Sequence, residues 1–360
     1  MAESTALWVS TSTQTKGGIA TYVREMQDTG LWTDWNVRHV ATHRDGSHAA
    51  KIAVFARGTV QFVLALIRFR PTVIHLHAST RGSFVRKAVL FWISRPTRTP
   101  VVMHMHGSGF QSYYENSPRV VQAVIRASIV RVAAFVGLGE VWATRMRTLV
   151  PDARILAIPN AVELGERIGQ PGTGEPLRVV FLGRIGDHKG TFTLLDAWAE
   201  LADDARFSEG GAKAAILTVA GDGEVERARD RVRELDIDDS VDVHDWLSES
   251  EVAKLLDHSH ILVLPSRNEG QPMAVLEAMA RGLCVVATDV GGIPEMIGGG
   301  CGVLIAADDT AGLAAALKLV VHDHELRIAR GGAAYQRVKE QFDVVEVSRR
   351  LDVLYREVTQ

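Results

Sequence analysis

Residues 260–280 read His260-Ile-Leu-Val-Leu264-Pro-Ser-Arg-Asn-Glu269-Gly270-Gln-Pro272-Met-Ala-Val-Leu-Glu277-Ala-Met-Ala280. The apolar run at the start predicts a buried strand, and the segment from Pro272 onward predicts a helix after a turn. We therefore expect Glu269 at the carboxyl end of a strand and Glu277 in the first turns of the next helix. In an open parallel sheet, ligands bind in the crevice beyond the carboxyl ends of the strands.

The start of this predicted helix suits an anion. The backbone amides of Gln271, Met273 and Ala274 have no carbonyl partner in a first turn and can hold a phosphate. The two carboxylates nearby need another partner, and sugar hydroxyls provide one, because a carboxylate accepts two hydrogen bonds from a diol. The alternative is an ordinary helix, with Glu277 near its favourable dipole and Glu269 in a solvated turn.

Apolar strand-like runs alternate with helix-length segments along the whole chain. Strands are predicted near 6–11, 37–41, 72–77, 100–105, 134–138, 154–158, 177–182, 214–220, 240–244, 260–264, 283–287 and 302–305. This alternation predicts an α/β fold with doubly wound parallel sheets covered on both faces. The Gly- and Pro-rich stretch 165–176 predicts a linker between two such domains, which we expect to face each other across a cleft.

The composition is that of an ordinary globular protein. The 360 residues include 46% hydrophobic and 23% charged side chains, and this length suggests about two domains. Cys284 and Cys301 show neither metal spacing nor a disulfide framework, which fits a reducing cytoplasm. No secretory leader is expected at the start, and apolar runs such as 60–67 are expected to be too short to span a bilayer.

Charge is distributed unevenly along the chain. Residues 1–165 contain 19 basic and 9 acidic residues, which leaves 21 basic and 34 acidic residues in the remainder. No acidic residue lies between Asp45 and Glu115. The basic residues there are Lys51, Arg57, Arg68, Arg70, Arg81, Arg86, Lys87, Arg95 and Arg98, interleaved with Phe55, Phe62, Phe69, Phe84, Phe91 and Trp92.

A basic stretch with interleaved aromatic residues favours an anionic membrane surface as partner of residues 51–98. Nucleic acid is the competing interpretation, but no recognition motif for it is visible, so no nucleic-acid partner is expected. A third interpretation is that these residues form a solvated helix face. We expect a cytoplasmic protein that is peripheral on the inner face of the cell membrane.

A pair of cations follows the first strand of the second half. The sequence Val179-Val-Phe-Leu-Gly183-Arg184-Ile-Gly186-Asp-His-Lys189-Gly190 places Arg184 and Lys189 in a turn beyond the strand. Two cations before a helix start can clamp a diphosphate. The order of residues matches neither a Walker loop nor a dinucleotide fingerprint. The alternative is a solvated loop that caps the helix.

Two further turns follow strands in the second half. Val219-Ala-Gly221-Asp222-Gly223-Glu224 is expected to line a nucleoside pocket or to close a βα unit. Val243-His-Asp-Trp246 has backbone groups suited to a base edge, whereas Trp246 has a core position as its alternative.

Three motifs in the first half are less specific. Lys16-Gly17-Gly18-Ile19 opens a helix, where glycines let the backbone approach a ligand; an ordinary tight turn is the alternative. His104 and His106 are expected on one face of a strand, as are His75 and His77 on another. A histidine pair can ligate a metal, but no third ligand is expected at useful spacing.

With these motifs in place, the chain resembles glycosyltransferase family 4, the group 1 glycosyltransferases. The resemblance is carried by Gly183-Arg184…Lys189-Gly190, Ala220-Gly-Asp-Gly223, Glu269-x7-Glu277 and residues 277–295. It implies the GT-B architecture, in which two Rossmann-like domains face each other across a cleft. Residues 1–165 would bind the acceptor, 166–176 would be the linker and 177–342 would bind the donor. The last helix, about 343–360, would cross back to the first domain.

The resemblance also implies roles for single residues. Arg184 and Lys189 would bind the donor diphosphate, and Glu277 the ribose hydroxyls. Glu269 would face the transferred sugar, and His106 would reach that sugar from the first domain. The expected catalytic residues are thus His106, Arg184, Lys189 and Glu269. The other expected donor-binding residues are Gly17, Gly18, Gly183, Gly221, Asp222, Trp246, Gly270, Gln271, Pro272, Met273 and Ala274. No metal and no cofactor are expected.

The implied reaction is retaining, metal-independent transfer of a hexose-type sugar from a nucleotide-sugar, with UDP favoured over GDP. The acceptor would be a glycan or a polyprenyl- or other lipid-linked compound in cell-surface polysaccharide or glycolipid biosynthesis. Competing functions are a GT-B-fold sugar-nucleotide epimerase or phosphorylase, and a non-catalytic sugar-nucleotide binding protein.

Overall fold

The computed structural model describes residues 4–172, 175–203 and 213–360. The chain forms two compact units, Met1–Val162 with Gln341–Gln360, and Glu163–Glu340. Each unit contains a six-stranded sheet whose strands all pair in parallel, with helices packed against it. The predicted α/β fold with two doubly wound parallel sheets is therefore confirmed.

The first unit begins with an alternation of six strands and seven helices. The strands are β1 (Ala6–Ser10), β2 (Arg38–Ala41), β3 (Val73–Ala78), β4 (Val101–Met105), β5 (Ala134–Gly137) and β6 (Ile155–Ala157). The helices are α1 (Gly18–Gln27), α2 (Gly30–Asp34), α3 (His48–Arg68), α4 (Gly82–Ser94), α5 (Phe110–Glu115), α6 (Arg119–Arg131) and α7 (Glu140–Leu149), with a 3-10 turn at Arg95–Thr97.

The second unit repeats the alternation. Its strands are β7 (Leu177–Leu182), β8 (Ala215–Ala220), β9 (Val241–His244), β10 (Ile261–Leu264), β11 (Cys284–Thr288) and β12 (Val303–Ile305). Its helices are α8 (Thr191–Ala202), α9 (Val225–Glu234), α10 (Glu249–Asp257), α11 (Met273–Met279), α12 (Ile293–Ile297), α13 (Thr310–His322) and α14 (His324–Arg337), with a 3-10 turn at Asp187–Lys189.

The last helix, α15 (Val344–Thr359), packs in the first unit and not beside α14. A π-helical turn at Val338–Phe342 precedes it. Trp35 Nε1 donates to Asp352 Oδ1 at 2.8 Å, and the Tyr355 hydroxyl is hydrogen-bonded to His75 Nδ1. These contacts tie the end of the chain to the first sheet.

All twelve predicted strands are present, each within one or two residues of the expected bounds. The reason is that strands of a parallel sheet are covered on both faces and so read as continuous apolar runs. β1, β3, β4, β10 and β11 are buried at every position.

The strand order of each sheet identifies one crevice. The first sheet has the order β2-β1-β3-β4-β5-β6, and the second has β12-β11-β10-β7-β8-β9. The order of connection reverses between β1 and β3 in the first sheet and between β7 and β10 in the second. At such a switch point the loops after neighbouring strands leave in opposite directions, which opens a crevice for a ligand.

The Gly- and Pro-rich stretch after residue 162 differs from a free linker. Gly165 N–H donates to the Ala280 carbonyl at 3.1 Å, and Ile168 N–H donates to the Arg281 carbonyl at 3.0 Å. Gln170 Oε1 accepts a hydrogen bond from Arg327 Nε at 3.0 Å. Backbone polar groups need partners, and here the second unit provides them.

The stretch 51–98 folds as α3, β3 and α4, and its surface differs from the expected one. Phe62, Phe84 and Phe91 are at most 1% exposed and belong to the core, so they do not contribute to a basic aromatic face. The exposed apolar residues are mainly aliphatic: Ile52, Val60, Leu64, Ile67, Val85, Val89, Trp92 and Ile93. Helical spacing alone did not separate the buried face from the exposed one.

Helix α3 also corrects the expectation that no apolar segment is long enough for a bilayer. Its 21 residues are long and apolar enough to cross a membrane, by length and composition alone. Phe62 and Leu66 are buried, and a Cβ on Gly58 would lie 2.5 Å from the Ala41 carbonyl oxygen. One face of α3 thus packs closely on the end of β2, as in a helix that flanks a sheet.

Candidate active site

An ion pair lies at the switch point of the second sheet. Lys189, in the turn after β7, places Nζ 2.5 Å from Oε1 of Glu269, in the loop after β10. The Ser266 hydroxyl donates to the same oxygen at 2.7 Å. Glu269 is 7% exposed, so a cation and a hydroxyl hold a nearly buried carboxylate in one orientation. The structure thus brings two of the predicted catalytic residues into direct contact.

The turn that carries Lys189 depends on Gly190. Gly190 has φ 70° and ψ 22°, a left-handed conformation that favours glycine. A Cβ at this position would lie 2.0 Å from the Pro265 carbonyl oxygen. The backbone after β7 therefore touches the backbone after β10, which brings Lys189 within reach of Glu269.

Two predicted glycine turns contact each other beside this ion pair. A Cβ on Gly221 would lie 1.7 Å from the Gly183 carbonyl oxygen, so the loops after β7 and β8 touch through their backbones. Ile185 N–H donates to the Asp222 carbonyl at 2.7 Å. Arg184, between these contacts, is exposed.

The loop after β11 closes the other side of the pair. A Cβ on Gly291 would lie 1.7 Å from the Glu269 carbonyl oxygen, and one on Gly292 would lie 2.0 Å from that of Gly270. Thr288 Oγ1 donates to the Ser266 carbonyl at 2.5 Å. The sequence pattern alone does not single out Ser266, Gly291 or Gly292 as site residues. The adjacent glycines after an apolar strand were the available signal.

Helix α11 follows the loop after β10 that carries Glu269, as the sequence predicts. Gln271 is 7% exposed, and Pro272 precedes the first helical residue, Met273. Within the helix, the N–H groups of Met273 and Ala274 have no carbonyl one turn earlier. Glu277 is half-buried, one turn further along the helix.

Trp246 lies beyond β9 and is 45% exposed, which excludes the core alternative for this residue. Gly221 N–H donates to the His244 carbonyl at 3.3 Å, so the loops after β8 and β9 are joined. The exposed indole therefore stands on the same edge of the second sheet as Asp222.

Gly17 and Gly18 lie after β1 in the first unit. Gly17 is the N-cap of α1 and has φ 123°, and a Cβ there would meet no atom within 4 Å. The neighbouring Lys16 N–H donates to Asp45 Oδ2 at 3.1 Å. The open space and positive φ are those of a turn with room for a ligand.

Both ring nitrogens of His106, also in the first unit, have partners within that unit. Nδ1 lies 3.0 Å from Asn160 Oδ1, and Nε2 lies 3.0 Å from His77 Nδ1. The Asn160 amide oxygen accepts a hydrogen bond from Nδ1–H of His106. In the neutral ring Nε2 of His106 is then the acceptor, and it accepts from Nδ1–H of His77. Burial lowers the pKa of His106 to about 4, with an opposing effect from Asn160, and the ring is neutral near pH 7.

His106 belongs to a histidine cluster that corrects one sequence expectation. His75, His77 and His104 are at most 1% exposed, and one nitrogen of each lies within 4.8 Å of the others, so the three could hold a metal ion. The expectation that no third ligand lies near was wrong, because β3 and β4 pair with His77 opposite His104. Burial, followed by neighbouring histidines, lowers the pKa of all three well below the usual value.

Two family models match the chain. One, described as "Glycosyl transferase 4-like domain", matches residues 17–161, and the other, "Glycosyl transferases group 1", matches residues 167–337. Their boundary falls close to the division between the two units.

Two curated relatives illustrate the similarity. The glycogen synthase of Mycobacterium tuberculosis (strain ATCC 25618 / H37Rv) is 33% identical over 196 residues, which is 53% of this chain and 45% of that protein. The 2-deoxystreptamine glucosyltransferase of Streptomyces kanamyceticus is 31% identical over 245 residues, 62% of this chain and 60% of that protein. The chain spans about half the length of the curated relatives it matches.

Solved structures share the fold over nearly the whole chain. Sucrose-phosphate synthase from Thermosynechococcus elongatus has a TM-score of 0.80 at 17% identity, covering 98% of each chain. Anabaena HepE in complex with UDP and glucose has a TM-score of 0.72 at 17% identity, covering 98% of this chain and 99% of that chain. The family models and these folds agree with the resemblance seen in the sequence: the chain belongs to the group 1 glycosyltransferases, glycosyltransferase family 4, and has the GT-B fold.

Proposed function

We propose that the chain transfers a hexose-type sugar from a UDP-sugar to a glycan or lipid-linked acceptor, with retention of anomeric configuration and without a metal ion. The observation that carries this proposal is the pairing of Lys189 with Glu269 at the switch point of the second sheet. A cation for a diphosphate and a carboxylate for sugar hydroxyls stand side by side there.

Arg184 and Lys189 are the proposed partners of the donor diphosphate. Cleavage of the bond from the sugar to the diphosphate leaves negative charge on the terminal phosphate, and fixed cations lower the energy of that state. Arg184 is exposed and its guanidinium can bind two phosphate oxygens, while Lys189 has N–H groups besides the one directed at Glu269. These two cations take the part that a divalent ion plays elsewhere, which is why we propose transfer without metal.

The two glutamates are assigned to hydroxyl groups of the donor. Lys189 and Ser266 both bind Oε1 of Glu269, and we assign Oε2 to a hydroxyl of the transferred sugar. Glu277, half-buried on α11, is assigned to the ribose hydroxyls. The choice of UDP is supported by the HepE structures, which contain UDP and UDP-glucose, and that of a hexose by the name of the Streptomyces relative.

The proposed reaction occurs on one face of the sugar. The acceptor hydroxyl oxygen forms the new bond to the anomeric carbon on the side from which the diphosphate leaves. Its proton passes to the leaving phosphate oxygen, so that charge and atoms balance without an enzyme-bound sugar. His106 is neutral with both nitrogens engaged, so we assign it to the shape of the acceptor side and not to proton transfer.

The test is a transfer assay followed by proton NMR. Purified protein is incubated with UDP-glucose, a panel of glycan and lipid-linked acceptors and EDTA. We expect product whose first-formed anomeric proton has the coupling constant of the donor's configuration, and loss of product in Arg184→Ala but not in Arg233→Ala, an exposed arginine on α9. Inverted product would reject the retaining assignment.

The same assay separates the competing functions. A sugar-nucleotide epimerase would consume the donor and release free nucleotide with no acceptor present. A binding protein would bind nucleotide and leave every donor and acceptor pair unchanged. Either result would replace transfer as the function.

A second part of the proposal concerns location. We propose a cytoplasmic enzyme, peripheral on the inner face of the membrane, that binds anionic lipid through the exposed face of α3 and α4. Ile52 and Ile67 are 70% and 63% exposed, and Lys51 and Arg57 lie on the same helix. An apolar groove of about 460 Å³ is lined by Val85, Val89 and Trp92 of α4 and by residues of α6. Apolar side chains among basic ones suit a lipid interface.

Vesicle flotation tests this location. We expect the protein to float with phosphatidylcholine vesicles that contain phosphatidylglycerol at low salt, and to remain behind with phosphatidylcholine alone. Ile67→Glu should weaken binding about tenfold, because it places an acid against the lipid. Leu319→Glu, at a 47% exposed position on α13, is the matched control and should bind as the parent does. Equal binding by all three proteins would contradict the assignment of this face.

A further inference from the structure

A cluster of basic side chains lies at the carboxyl edge of the first sheet. It consists of Lys51 on α3, Arg86 and Lys87 on α4, and His43 in the loop after β2. In the described part of the chain, neither lysine nor Arg86 forms an ion pair with a carboxylate. Three of the four residues come from the stretch without acids between Asp45 and Glu115.

Lys87 is the buried member of the cluster. It is 1% exposed, and its Nζ donates to Thr42 Oγ1 at 2.6 Å. The Thr42 hydroxyl in turn donates to the Ser10 carbonyl at 3.0 Å. The hydroxyl oxygen of Thr42 is therefore the acceptor for Lys87. Burial, with a smaller contribution from Arg86, lowers the pKa of Lys87 to about 7. A buried ammonium with a hydroxyl and no anion as partner is costly to the fold.

Arg86 is half-buried, and its Nε is buried without a hydrogen-bond partner. Its Nη1 lies 3.5 Å from the position of a Cβ on Gly82, so the guanidinium turns back toward the start of α4. The start of a helix carries positive partial charge, which repels a cation. The guanidinium therefore lies where an anion is the missing partner.

His43 shows that the charges converge on one region. Its Nδ1 lies 3.4 Å from Thr11 Oγ1. Burial lowers the pKa of His43, and the charges of Arg86, Lys51 and Lys87 lower it further, against an opposing effect from Asp45. Asp45 is also engaged, since its Oδ2 accepts from the Lys16 N–H at 3.1 Å.

The position in the sheet is that of a ligand site. The cluster borders the switch point between β1 and β3, where the loops after these strands diverge. Arg81, between β3 and α4, has φ 50°, which is strained for a bulky side chain. Strain of this kind persists where surrounding structure enforces it, and it is frequent at ligand sites.

We propose that this cluster binds a phosphoryl group of the acceptor, with Arg86 and Lys51 in contact with it and Lys87 as the buried charge beneath. The proposal rests on the proposed transferase function and names the chemical class of the acceptor. A phosphoryl group accepts several charge-assisted hydrogen bonds and suits the planar guanidinium. A neutral glycan would leave three cations unpaired, so the acceptor is a lipid phosphate or a sugar phosphate.

Phosphate binding to the full chain tests the site. The Arg184→Ala protein serves as parent, because it lacks a cation of the donor site that also attracts phosphate. We expect inorganic phosphate to raise its melting temperature. Arg86→Gln should weaken phosphate binding at least tenfold, Lys51→Gln should weaken it less, and Arg86→Lys should restore part of it. Arg145→Gln, at an exposed position on α7, removes the same charge and should change nothing.

The source of the phosphoryl group is tested in two arms with the same parent. In one arm glucose 1-phosphate competes with inorganic phosphate for the protein. In the other arm the competitor is a vesicle made of phosphatidylcholine and phosphatidic acid. Competition in either arm that Arg86→Gln abolishes supports the proposal and names the source. Phosphate binding that Arg86→Gln leaves unchanged, or no competition in either arm, would overturn it. Nucleotide binding to wild-type protein tests the donor site separately, so the two failures are distinguishable.

Discussion

Lys189 Nζ lies 2.5 Å from Glu269 Oε1, although 80 positions separate the two residues in the chain. The contact joins the turn after β7 to the loop after β10, which are the neighbouring strands at the switch point of the second sheet. The cation that we propose for the donor diphosphate and the carboxylate that we propose for the transferred sugar are thus paired with each other in the protein alone.

The first prediction concerns this pair. Lys189→Met leaves a nearly buried carboxylate with Ser266 as its remaining partner, and we expect a loss of about 1–3 kcal/mol in the free energy of unfolding. Activity should fall about 100-fold, since a fixed cation near the leaving group is removed. Urea unfolding and kcat measure the two effects. The double variant Lys189→Met with Glu269→Gln should lose less stability than the sum of the single variants; additive losses would mean that the pair is not coupled.

The second prediction concerns Gly190. Gly190→Ala places a Cβ 2.0 Å from the Pro265 carbonyl oxygen in a left-handed conformation, so the turn that carries Lys189 must move. We expect kcat/KM to fall at least about tenfold while the protein remains folded, because small displacements of positioned groups are costly in rate. Gly169→Ala, where a Cβ meets nothing within 4 Å, is the control and should behave as wild type. Equal activity in both variants would show that the position of the turn is not critical.

The third prediction is acid unfolding of the first unit. The pKa values of His39 and His106 are lowered to about 4, chiefly by burial, and those of His75, His77 and His104 fall well below the usual value. Below about pH 6.5 the unfolded chain therefore binds more protons than the folded chain does. The free energy of unfolding decreases as the pH is lowered from about 6.5 to about 4. Each histidine contributes about 1.4 kcal/mol per pH unit in that window.

Tryptophan fluorescence checks this expectation, because Trp8 is buried beside His75 and His77. We expect cooperative unfolding of the first unit near pH 5 and a shallower pH dependence in His104→Gln, whose amide can still donate to the Ile158 carbonyl. Constant stability from pH 7 to pH 4 would show that the histidines are not neutral in the folded state.

The fourth prediction concerns Lys87, whose pKa is lowered to about 7 mainly by burial. Because the unfolded chain holds this proton up to about pH 10.4, the lysine destabilises the fold at neutral pH and does so less as the pH rises above 7. Lys87→Met should therefore raise the free energy of unfolding by a few kcal/mol at pH 7, with the gain fading toward pH 10, while transfer activity falls. A variant less stable than wild type at pH 7 would contradict this account.

Local pattern was sufficient for the strands, for the loops that carry Arg184 and Glu269, and for the helix that carries Glu277, because each βα unit is short in sequence. The Lys189–Glu269 contact could not be predicted, since it depends on which strands become neighbours in the sheet. The same limit explains the histidine cluster: His75, His77 and His104 meet through the register of β3 and β4. In the stretch 51–98, helical spacing did not reveal that Phe62, Phe84 and Phe91 face inward.

Nucleotide binding tests the donor site most directly. The melting temperature is measured with UDP, GDP and ADP and their sugar conjugates, each with and without EDTA, for wild type and Arg184→Ala. The account predicts a rise with UDP and UDP-sugars that EDTA leaves unchanged and that Arg184→Ala abolishes. No rise with any nucleotide, or a rise that requires a divalent ion and survives Arg184→Ala, would contradict a metal-free donor site at the carboxyl edge of the second sheet.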